Sequence, residues 1–170
     1  MHPSEIEDVL KTFTLITDTR EQPTKRSEVR YKQFGCPYKR EKLDFGDYSA
    51  VLFIDGKECK IPVVVERKMN LTELAMCYTS ERGRFEREFE RAKEAGSKVY
   101  LLLENSTWKS AYSGNYRSKM LPQSLVASML AWLARYNCQL IMCDSTVTGK
   151  LIHDILYREA KEYLTRMVTE

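Results

Sequence analysis

Before residue 70, the apolar positions follow the pattern of short β-strands. Three segments rich in β-branched and aromatic residues predict strands: 12–18 (TFTLITD), 47–54 (DYSAVLFI) and 59–66 (CKIPVVVE). The alternating segment 38–45 (YKREKLDF) predicts a fourth, at an edge. The Asp55-Gly56 pair is a signal for a hairpin turn, and Pro62 is expected near the start of its strand. Together these features predict an antiparallel meander whose second strand lies at a sheet edge.

After residue 70, the apolar period changes to that of helices alternating with buried strands. Phe85, Phe89 and Ala92 recur at helical spacing, Gly96 is a stop signal, and Pro122 stands at a helix start. The predicted helices and strands of this half are 70–80, 83–96, 97–104 (strand), 122–137, 138–144 (strand) and 146–167. Residues 105–120 are predicted to be a polar, aromatic-rich loop.

Two short helices are also predicted in the first half. Residues 5–11 form an opening helix with Ser4 as its N-cap, and residues 28–35 form a second helix closed by Gly35. The stretch between strand 12–18 and this second helix, residues 19–26, is predicted to be a loop. A meander followed by alternating strands and helices predicts a mixed α/β fold with a parallel sheet core.

Composition favours one compact domain of 170 residues, with a core over about residues 12–165. The chain is 43% hydrophobic and 30% charged, with no linker-like stretch and no apolar run long enough to cross a membrane. Five cysteines, an odd number, form no CxxC pair, which predicts reduced thiols. The N-terminus lacks the pattern of a signal peptide, so an intracellular location is expected. The net charge of +3 permits a phosphate-rich partner without requiring one.

The candidate chemistry lies at the ends of predicted strands. Glu66 and Lys68 close the strand VVVERK and should share one of its faces, while Arg67 points to the other. If Asp47 lies on a neighbouring strand of the hairpin, its carboxylate and that of Glu66 can share a hard cation. Mg²⁺ suits such a site because it accepts one or two carboxylates and keeps several waters. Lys68 would then orient a water or stabilise charge on a reacting phosphate.

Simpler interpretations stand beside these. An ExK triplet arises easily in a charged chain, and VVVERK could be a strand that ends in solvent. Residues 83–94 could form an ordinary amphipathic helix with charge pairs. The aromatic and basic residues of 108–119 suit stacking on unpaired bases, but also suit a structural loop that packs Trp108 and Tyr112.

Four motifs taken together are more specific. DTRE (18–21), GD (46–47), VERK (65–68) and GRFEREFERAKE (83–94) occur in this order, the first three at predicted strand ends. This combination resembles the XPF-type structure-selective DNA endonucleases over about residues 12–165. The resemblance implies a restriction-endonuclease-like (PD-(D/E)XK) core, with a mixed central sheet flanked by helices. Family members usually also carry a helicase domain or a helix-hairpin-helix module, and neither fits in this chain, so a single nuclease domain is expected.

The resemblance also implies a role for individual residues. Asp47, Glu66 and the backbone carbonyl of Arg67 match the metal ligands, and Lys68 matches the catalytic lysine. The upstream motif contributes groups that line the same pocket: Asp18, Arg20 and Glu21, with Glu21 as a further candidate ligand. Residues expected to contact DNA are Arg84, Arg20 and Arg67. Where the family pattern has an aspartate four residues after the lysine, this chain has Thr72, and the adjacent Glu73 is the candidate substitute.

The sequence therefore predicts a Mg²⁺- or Mn²⁺-dependent DNA endonuclease. By resemblance, its substrates are branched or flapped DNA in repair, recombination or phage DNA processing. A homodimer or heterodimer through the C-terminal helices is expected, with no membrane association. The location would be the cytoplasm for a bacterial or phage protein and the nucleus for a eukaryotic one. The main alternative is a catalytically silent DNA-binding or scaffold subunit of a nuclease complex.

Overall fold

A computed structural model describes residues 3–169 of the chain. Its strands are β1 (Thr14–Thr17), β2 (Tyr38–Arg40), β3 (Tyr48–Ile54), β4 (Lys57–Lys60), β5 (Val63–Lys68), β6 (Lys98–Glu104) and β7 (Cys138–Cys143). Its α-helices are α1 (Pro3–Leu10), α2 (Lys25–Gln33), α3 (Leu71–Tyr78), α4 (Arg82–Glu94), α5 (Trp108–Ser113), α6 (Pro122–Arg135) and α7 (Thr148–Thr169). A 3-10 turn at Ser145–Val147 leads into α7.

The strands of the sheet follow the order β2-β1-β3-β5-β6-β7. A further strand, β4, pairs with β3 outside this order. β1 is parallel to β2 and antiparallel to β3, and β6 is parallel to β7. Parallel and antiparallel pairs thus occur in the same mixed sheet. Helices α1 and α7 pack on β3, α4 packs on β6, and α6 packs on β7. The predicted mixed α/β fold with a helix-flanked central sheet is confirmed.

Internal contacts divide the chain into two compact units. The first unit contains residues up to Leu43, residues 47–64 and residues from Val147 onward, and the second contains 44–46 and 65–146. In the first unit, Ile16, Leu43 and Val51 form a buried apolar cluster. In the second unit, the core is the apolar run of β6 together with the inward faces of α4 and α6.

Several local predictions about the first unit need correction. The meander is not purely antiparallel, because β1 and β2 pair in parallel with Leu15 opposite Tyr38. The segment 59–66 is not one strand, since β4 ends at Lys60 and β5 begins at Val63, with Pro62 between them. Proline has no N–H for a strand ladder, which explains the break. The Asp55-Gly56 turn is confirmed, with both residues at positive φ, and it joins β3 to β4.

Three helix boundaries also differ from expectation. α1 already includes Pro3, so Ser4 lies inside the helix and is not its N-cap. α2 begins at Lys25 because Thr24, in the predicted loop, forms a reciprocal capping box with Ser27. The predicted loop 105–120 contains α5, which Thr107 caps through Ser110 N–H. Short capped helices carry too few turns for an apolar period to reveal them.

The helices and cysteines agree with the remaining expectations. Gly35 and Gly96 adopt positive φ just beyond α2 and α4, as the stop signals predicted. All five cysteines are free thiols. Among residues 3–169, no helix combines the length and the apolar character that a membrane crossing requires.

Candidate active site

The β5 strand VVVERK carries the central pair of the predicted site. Val63, Val64 and Val65 are buried and anchor the strand in the core. Glu66 and Lys68 are only 6% and 8% exposed, and Lys68 Nζ lies 2.6 Å from Glu66 Oε1. The two side chains therefore share one face of the strand, as its alternation predicts. A charged pair buried this deeply is unusual at a strand end, because both groups have given up most of their hydration.

Helix α4 supplies the surface against which Lys68 rests. Lys68 Nζ lies 5.3 Å from the centroid of the Phe85 ring, a cation–π contact. Phe85 in turn packs on Tyr78, Phe89 and Trp132 in a buried aromatic cluster. The ammonium group is thus held between a carboxylate and an aromatic face. This arrangement keeps its position defined before any substrate binds.

Glu66 has an electrostatic environment suited to a cation. Burial raises the pKa of Glu66 above its usual value, although the Lys68 ammonium acts in the opposite direction. Glu88 and Glu73 add negative charge nearby and raise the pKa of Glu66 further. A divalent cation at this position would favour the charged carboxylate and offset the burial.

Arg67 points away from this pair and is held by Glu104 at the end of β6. Its Nε and Nη2 donate to the two carboxylate oxygens of Glu104 over 2.9 and 3.1 Å, a bidentate ion pair. Glu104 was absent from the predicted site. Its signal in the sequence was an acidic residue at the end of a buried strand, but only the tertiary structure identifies its partner.

Asp18, after β1, is committed to hydrogen bonds within the first unit. Its side chain is buried, and Oδ1 accepts from the backbone N–H and Nε of Arg20, both over 2.7 Å. Oδ2 accepts from Leu43 N–H over 2.6 Å and from Arg20 Nη2 over 3.2 Å. Burial alone would raise the pKa of Asp18, but these donors outweigh it and lower the pKa below its usual value of 3.8. Asp18 therefore shapes the loop around Arg20.

Glu21 is likewise surrounded by donors from its own unit. Oε1 accepts from Arg30 Nη2 and from the Tyr48 hydroxyl, the latter over 2.6 Å. Oε2 accepts from the Tyr31 hydroxyl over 3.0 Å. Burial and the charge of Glu21 raise the pKa of Tyr48, so this phenol stays a neutral donor. With three protein donors already on its carboxylate, Glu21 is poorly suited to bind a metal ion.

Asp47 stands immediately before β3, where Gly46 turns the chain. Gly46 has a φ of 75°, a conformation that favours glycine, and this explains the GD pair. The Asp47 carbonyl accepts from Asp18 N–H over 2.8 Å, which joins the DTRE and GD motifs through the backbone. As expected, β3, which Asp47 directly precedes, and β5, which carries Glu66, are neighbours in the sheet. Only the hairpin differs from the expectation, because the hairpin partner of β3 is β4.

Thr72 and Glu73 stabilise the start of α3. Asn70 caps the helix by accepting from Glu73 N–H over 2.9 Å, and Glu73 Oε2 accepts from Met69 N–H over 2.6 Å. Thr72 Oγ1 accepts from Arg117 N–H over 3.0 Å. A cap accounts for Glu73, so the structure provides a role for it other than replacing the family's aspartate. Arg84 is an exposed side chain of α4 that pairs with Glu81 at 2.6 Å.

The residues at the end of β5 suit an ion such as Mg²⁺ that takes few of its ligands from the protein. Within residues 3–169, no group of three or more His, Cys, Asp or Glu side chains has an arrangement that could hold a metal. Mg²⁺ needs fewer side chains than that, because waters and backbone carbonyls complete its octahedron. The buried Glu66 carboxylate and the adjacent Arg67 carbonyl are hard oxygen donors of this kind.

Comparisons with known proteins agree with this architecture. The model of the ERCC4 domain family matches residues 17–155. A solved structure of XPF from Aeropyrum pernix matches with a TM-score of 0.60 and 22% identity, covering 84% of this chain and 59% of that one. A second, XPF from Aeropyrum pernix in complex with DNA, matches with a TM-score of 0.61 and 23% identity, covering 88% and 66%. No match was found among curated proteins.

Proposed function

The chain belongs to the ERCC4 domain family, as its XPF-type motifs predicted, and from this we propose that it is a metal-dependent DNA endonuclease. The observation that carries the proposal is the buried Glu66–Lys68 pair on β5, held against Phe85. An ion pair that is costly to bury and is supported on two sides is typical of a reaction centre. The chain spans only 59% of the first XPF structure, so the proposal concerns the nuclease core alone.

We propose that Glu66, the Arg67 carbonyl and Asp47 hold Mg²⁺ or Mn²⁺. The place of Asp47 in this set rests on the order of the GD and VERK motifs. Such an ion supplies Lewis-acid polarisation of a phosphoryl oxygen and a more acidic bound water. Binding would draw Glu66 toward its charged form, against the effect of its burial.

Lys68 supplies the positive charge that the protein itself contributes to the reaction. Its ammonium faces the reacting phosphate and stabilises the negative charge that grows on the phosphorus oxygens in the transition state. Glu66 and Phe85 hold this ammonium in place, so little reorganisation is needed during the reaction. The Glu104 pair orients Arg67 on the opposite face and thereby fixes the strand that presents Glu66 and Lys68.

The proposed substrates are branched or flapped DNA, in repair, recombination or phage DNA processing. An XPF structure with a similar fold was solved with DNA. Exposed arginines such as Arg84 and Arg20 would contact backbone phosphates, which position a duplex without reading its sequence. A dimer through the C-terminal helices is also proposed and would enlarge the DNA-binding surface.

A cleavage assay tests the proposal. End-labelled flap, fork, four-way-junction and linear DNAs are incubated with the protein, with and without Mg²⁺ or Mn²⁺. We expect metal-dependent cleavage of branched substrates, and a loss of about 100-fold or more in the Asp47→Ala and Lys68→Ala variants. Lys57→Ala, an exposed lysine on β4, is the matched control and should cleave normally.

Three outcomes would contradict parts of this proposal. Absence of metal-dependent cleavage with DNA binding intact would favour the silent scaffold subunit. Unchanged activity in both variants would remove Asp47 and Lys68 from the site. Equal cleavage of linear and branched DNA would leave a nuclease without the proposed preference for structure.

A further inference from the structure

The segment between β6 and α6, residues 105–121, exposes two aromatic rings. Trp108 and Tyr112 are 37% and 65% exposed. They lie four residues apart on α5, so their side chains project from the same side of the helix. Large rings are normally buried, and two of them exposed side by side are typical of a binding surface. We call residues 105–121 the α5 segment.

The charged side chains of the α5 segment are all basic. The α5 segment contains Lys109, Arg117 and Lys119, all exposed. It contains no acidic residue, and none occurs anywhere between Glu104 and Asp144. A partner that offers flat apolar faces together with negative charge fits this surface. Single-stranded nucleic acid has both, since its unpaired bases stack on aromatic rings and its phosphates pair with cations.

The α5 segment is also held in a defined conformation. The Tyr116 hydroxyl donates to the Met120 carbonyl over 2.8 Å, and Met120 N–H donates to Ser118 Oγ over 3.1 Å. Gly114 has a φ of 72° at the end of α5, where a Cβ would lie 3.1 Å from Pro122 Cγ. Binding would therefore cost little additional ordering of this backbone.

Two contacts at the ends of the α5 segment place it close to β5, the strand that carries the proposed chemistry. Just before the segment begins, Glu104 forms its bidentate pair with Arg67 of β5. Near its end, Arg117 N–H donates to Thr72, which lies four residues beyond Lys68. A nucleotide stacked on α5 would therefore lie close to the C-terminal end of β5.

We propose that the α5 segment binds the unpaired strand of the DNA substrate, with bases stacked on Trp108 and Tyr112 and phosphates on Lys109, Arg117 and Lys119. This rests on the proposed function and specifies it: the segment recognises the single-stranded arm of a junction. Thr72, which stands where the family pattern has an aspartate, helps to hold the segment by accepting a hydrogen bond from Arg117 N–H.

The test measures binding to an oligothymidylate of about 12 nucleotides, within the range that single-strand sites cover. The buffer contains a chelator, so binding is independent of cleavage. Trp108→Ala and Tyr112→Ala should each weaken binding about tenfold, while a blunt duplex binds as before. Trp108→Phe and Tyr112→Phe should retain binding within about twofold. Phe53→Ala, an exposed aromatic residue of β3, is the matched control and should have no effect.

Tryptophan fluorescence provides a second, direct measurement. The chain has two tryptophans, and Trp132 is fully buried. Stacking predicts that the oligonucleotide quenches the emission of Trp108, and that Trp108→Phe abolishes the quenching while it preserves binding. Thermal unfolding of each variant controls for loss of the fold.

The outcomes separate this inference from the proposed endonuclease activity. A protein that cleaves DNA but whose Trp108→Ala and Tyr112→Ala variants bind the oligonucleotide normally overturns the inference and leaves the activity. A protein that never cleaves but loses oligonucleotide binding in these variants supports the inference and contradicts the activity. An equal loss for duplex and oligonucleotide, or no oligonucleotide binding by the wild type, also overturns it.

Discussion

Asp18 and Glu66 are buried carboxylates whose pKa values shift in opposite directions. Asp18 accepts two backbone N–H groups and an arginine, and together they lower its pKa. Glu66 has a single lysine partner at 2.6 Å and two acidic residues nearby, and its pKa is raised. Since both carboxylates are buried, the number of hydrogen-bond donors around each decides the direction of its pKa shift. Asp18 is therefore fully satisfied by the protein, whereas Glu66 would gain from a bound cation.

The hydrogen bonds of Asp18 predict how stability depends on pH. Because the folded pKa lies below the unfolded value of 3.8, the contribution of Asp18 is fully present well above pH 3.8. It is lost as the pH falls through the folded pKa. Asp18→Asn should cost about 2 kcal/mol of unfolding free energy at pH 7, since one accepting oxygen is replaced by a donor.

Urea unfolding of both proteins between pH 7 and pH 3 measures this effect. The difference in unfolding free energy between wild type and Asp18→Asn should shrink as the pH falls. A difference that stays constant over this range would mean that Asp18 carries no pH-linked stability. Asp55→Asn, in the exposed β3–β4 turn, serves as the control.

At the level of elements, α4 connects the core of the second unit to the candidate chemistry. Phe85 and Phe89 lie one turn apart, are both buried, and both pack on Trp132. The Lys68 ammonium lies over the ring of Phe85. The helix therefore stabilises the core through both rings and positions the lysine through Phe85.

Substitution of these two phenylalanines separates stability from positioning. Phe85→Leu and Phe89→Leu should each cost about 1–3 kcal/mol of unfolding free energy, because each leaves a similar void. Only Phe85→Leu removes the aromatic face beneath Lys68, so only this variant should also lower kcat, by about tenfold, with little change in KM. Equal kcat values in the two variants would contradict a positioning role for Phe85.

Helix α7 packs against α2 at a position where only glycine fits. A Cβ on Gly149 would approach the Arg30 carbonyl oxygen most closely, and would lie 2.8 Å from both Arg30 Cα and Gln33 Cβ. Gly149 N–H also donates to Gln33 Oε1 over 2.9 Å. Backbone cannot move aside as a flexible side chain can. The close approach of the two helices therefore depends on this residue.

Gly149→Ala should accordingly cost about 3 kcal/mol of unfolding free energy through overpacking. Gly83 in α4 is the matched helical control, because its Cβ would meet only the end of the Arg87 side chain at 3.4 Å. Gly83→Ala should leave stability unchanged or raise it by up to about 1 kcal/mol, the helix propensity difference. Denaturant midpoints of the two variants give the comparison, and equal midpoints would contradict the packing argument.

At the scale of the whole molecule, the proposed dimer should use α6 more than α7. The apolar stripe of α7 is largely buried in its own unit, including Ile152, Leu156 and Leu164, and its exposed members Met167 and Val168 lie near the end of the helix. On α6, Leu130 remains 49% exposed. A partner helix would gain more from covering Leu130 than from covering a stripe that is already largely buried.

Light scattering after size-exclusion chromatography tests this expectation. The wild type should have the mass of a dimer, and Leu130→Glu that of a monomer, because a charge buried in an interface is costly. Val29→Glu, on an equally exposed residue of α2, should leave the mass unchanged. A monomeric wild type would contradict the proposed dimer, and a dimeric Leu130→Glu variant would exclude Leu130 from its interface.

Local pattern was sufficient for most of the elements and for the family. Strand and helix periods need only neighbouring residues, so β3, β6, α4 and α6 were predictable. The motifs DTRE, GD and VERK are likewise short stretches of chain. The alternation of β5 was enough to place Glu66 and Lys68 on one face, which the 2.6 Å ion pair confirms.

Contacts between distant residues were decided only by the folded chain. The parallel pairing of β1 with β2, the Arg67–Glu104 pair, the donors around Glu21 and the link from Arg117 to Thr72 join residues far apart in sequence. Their partners depend on how the strands and helices assemble, and no local period encodes that assembly. For the same reason, sequence alone could name Asp18, Glu21 and Glu73 as candidates, but only their hydrogen-bond partners distinguish a structural carboxylate from one suited to bind a metal.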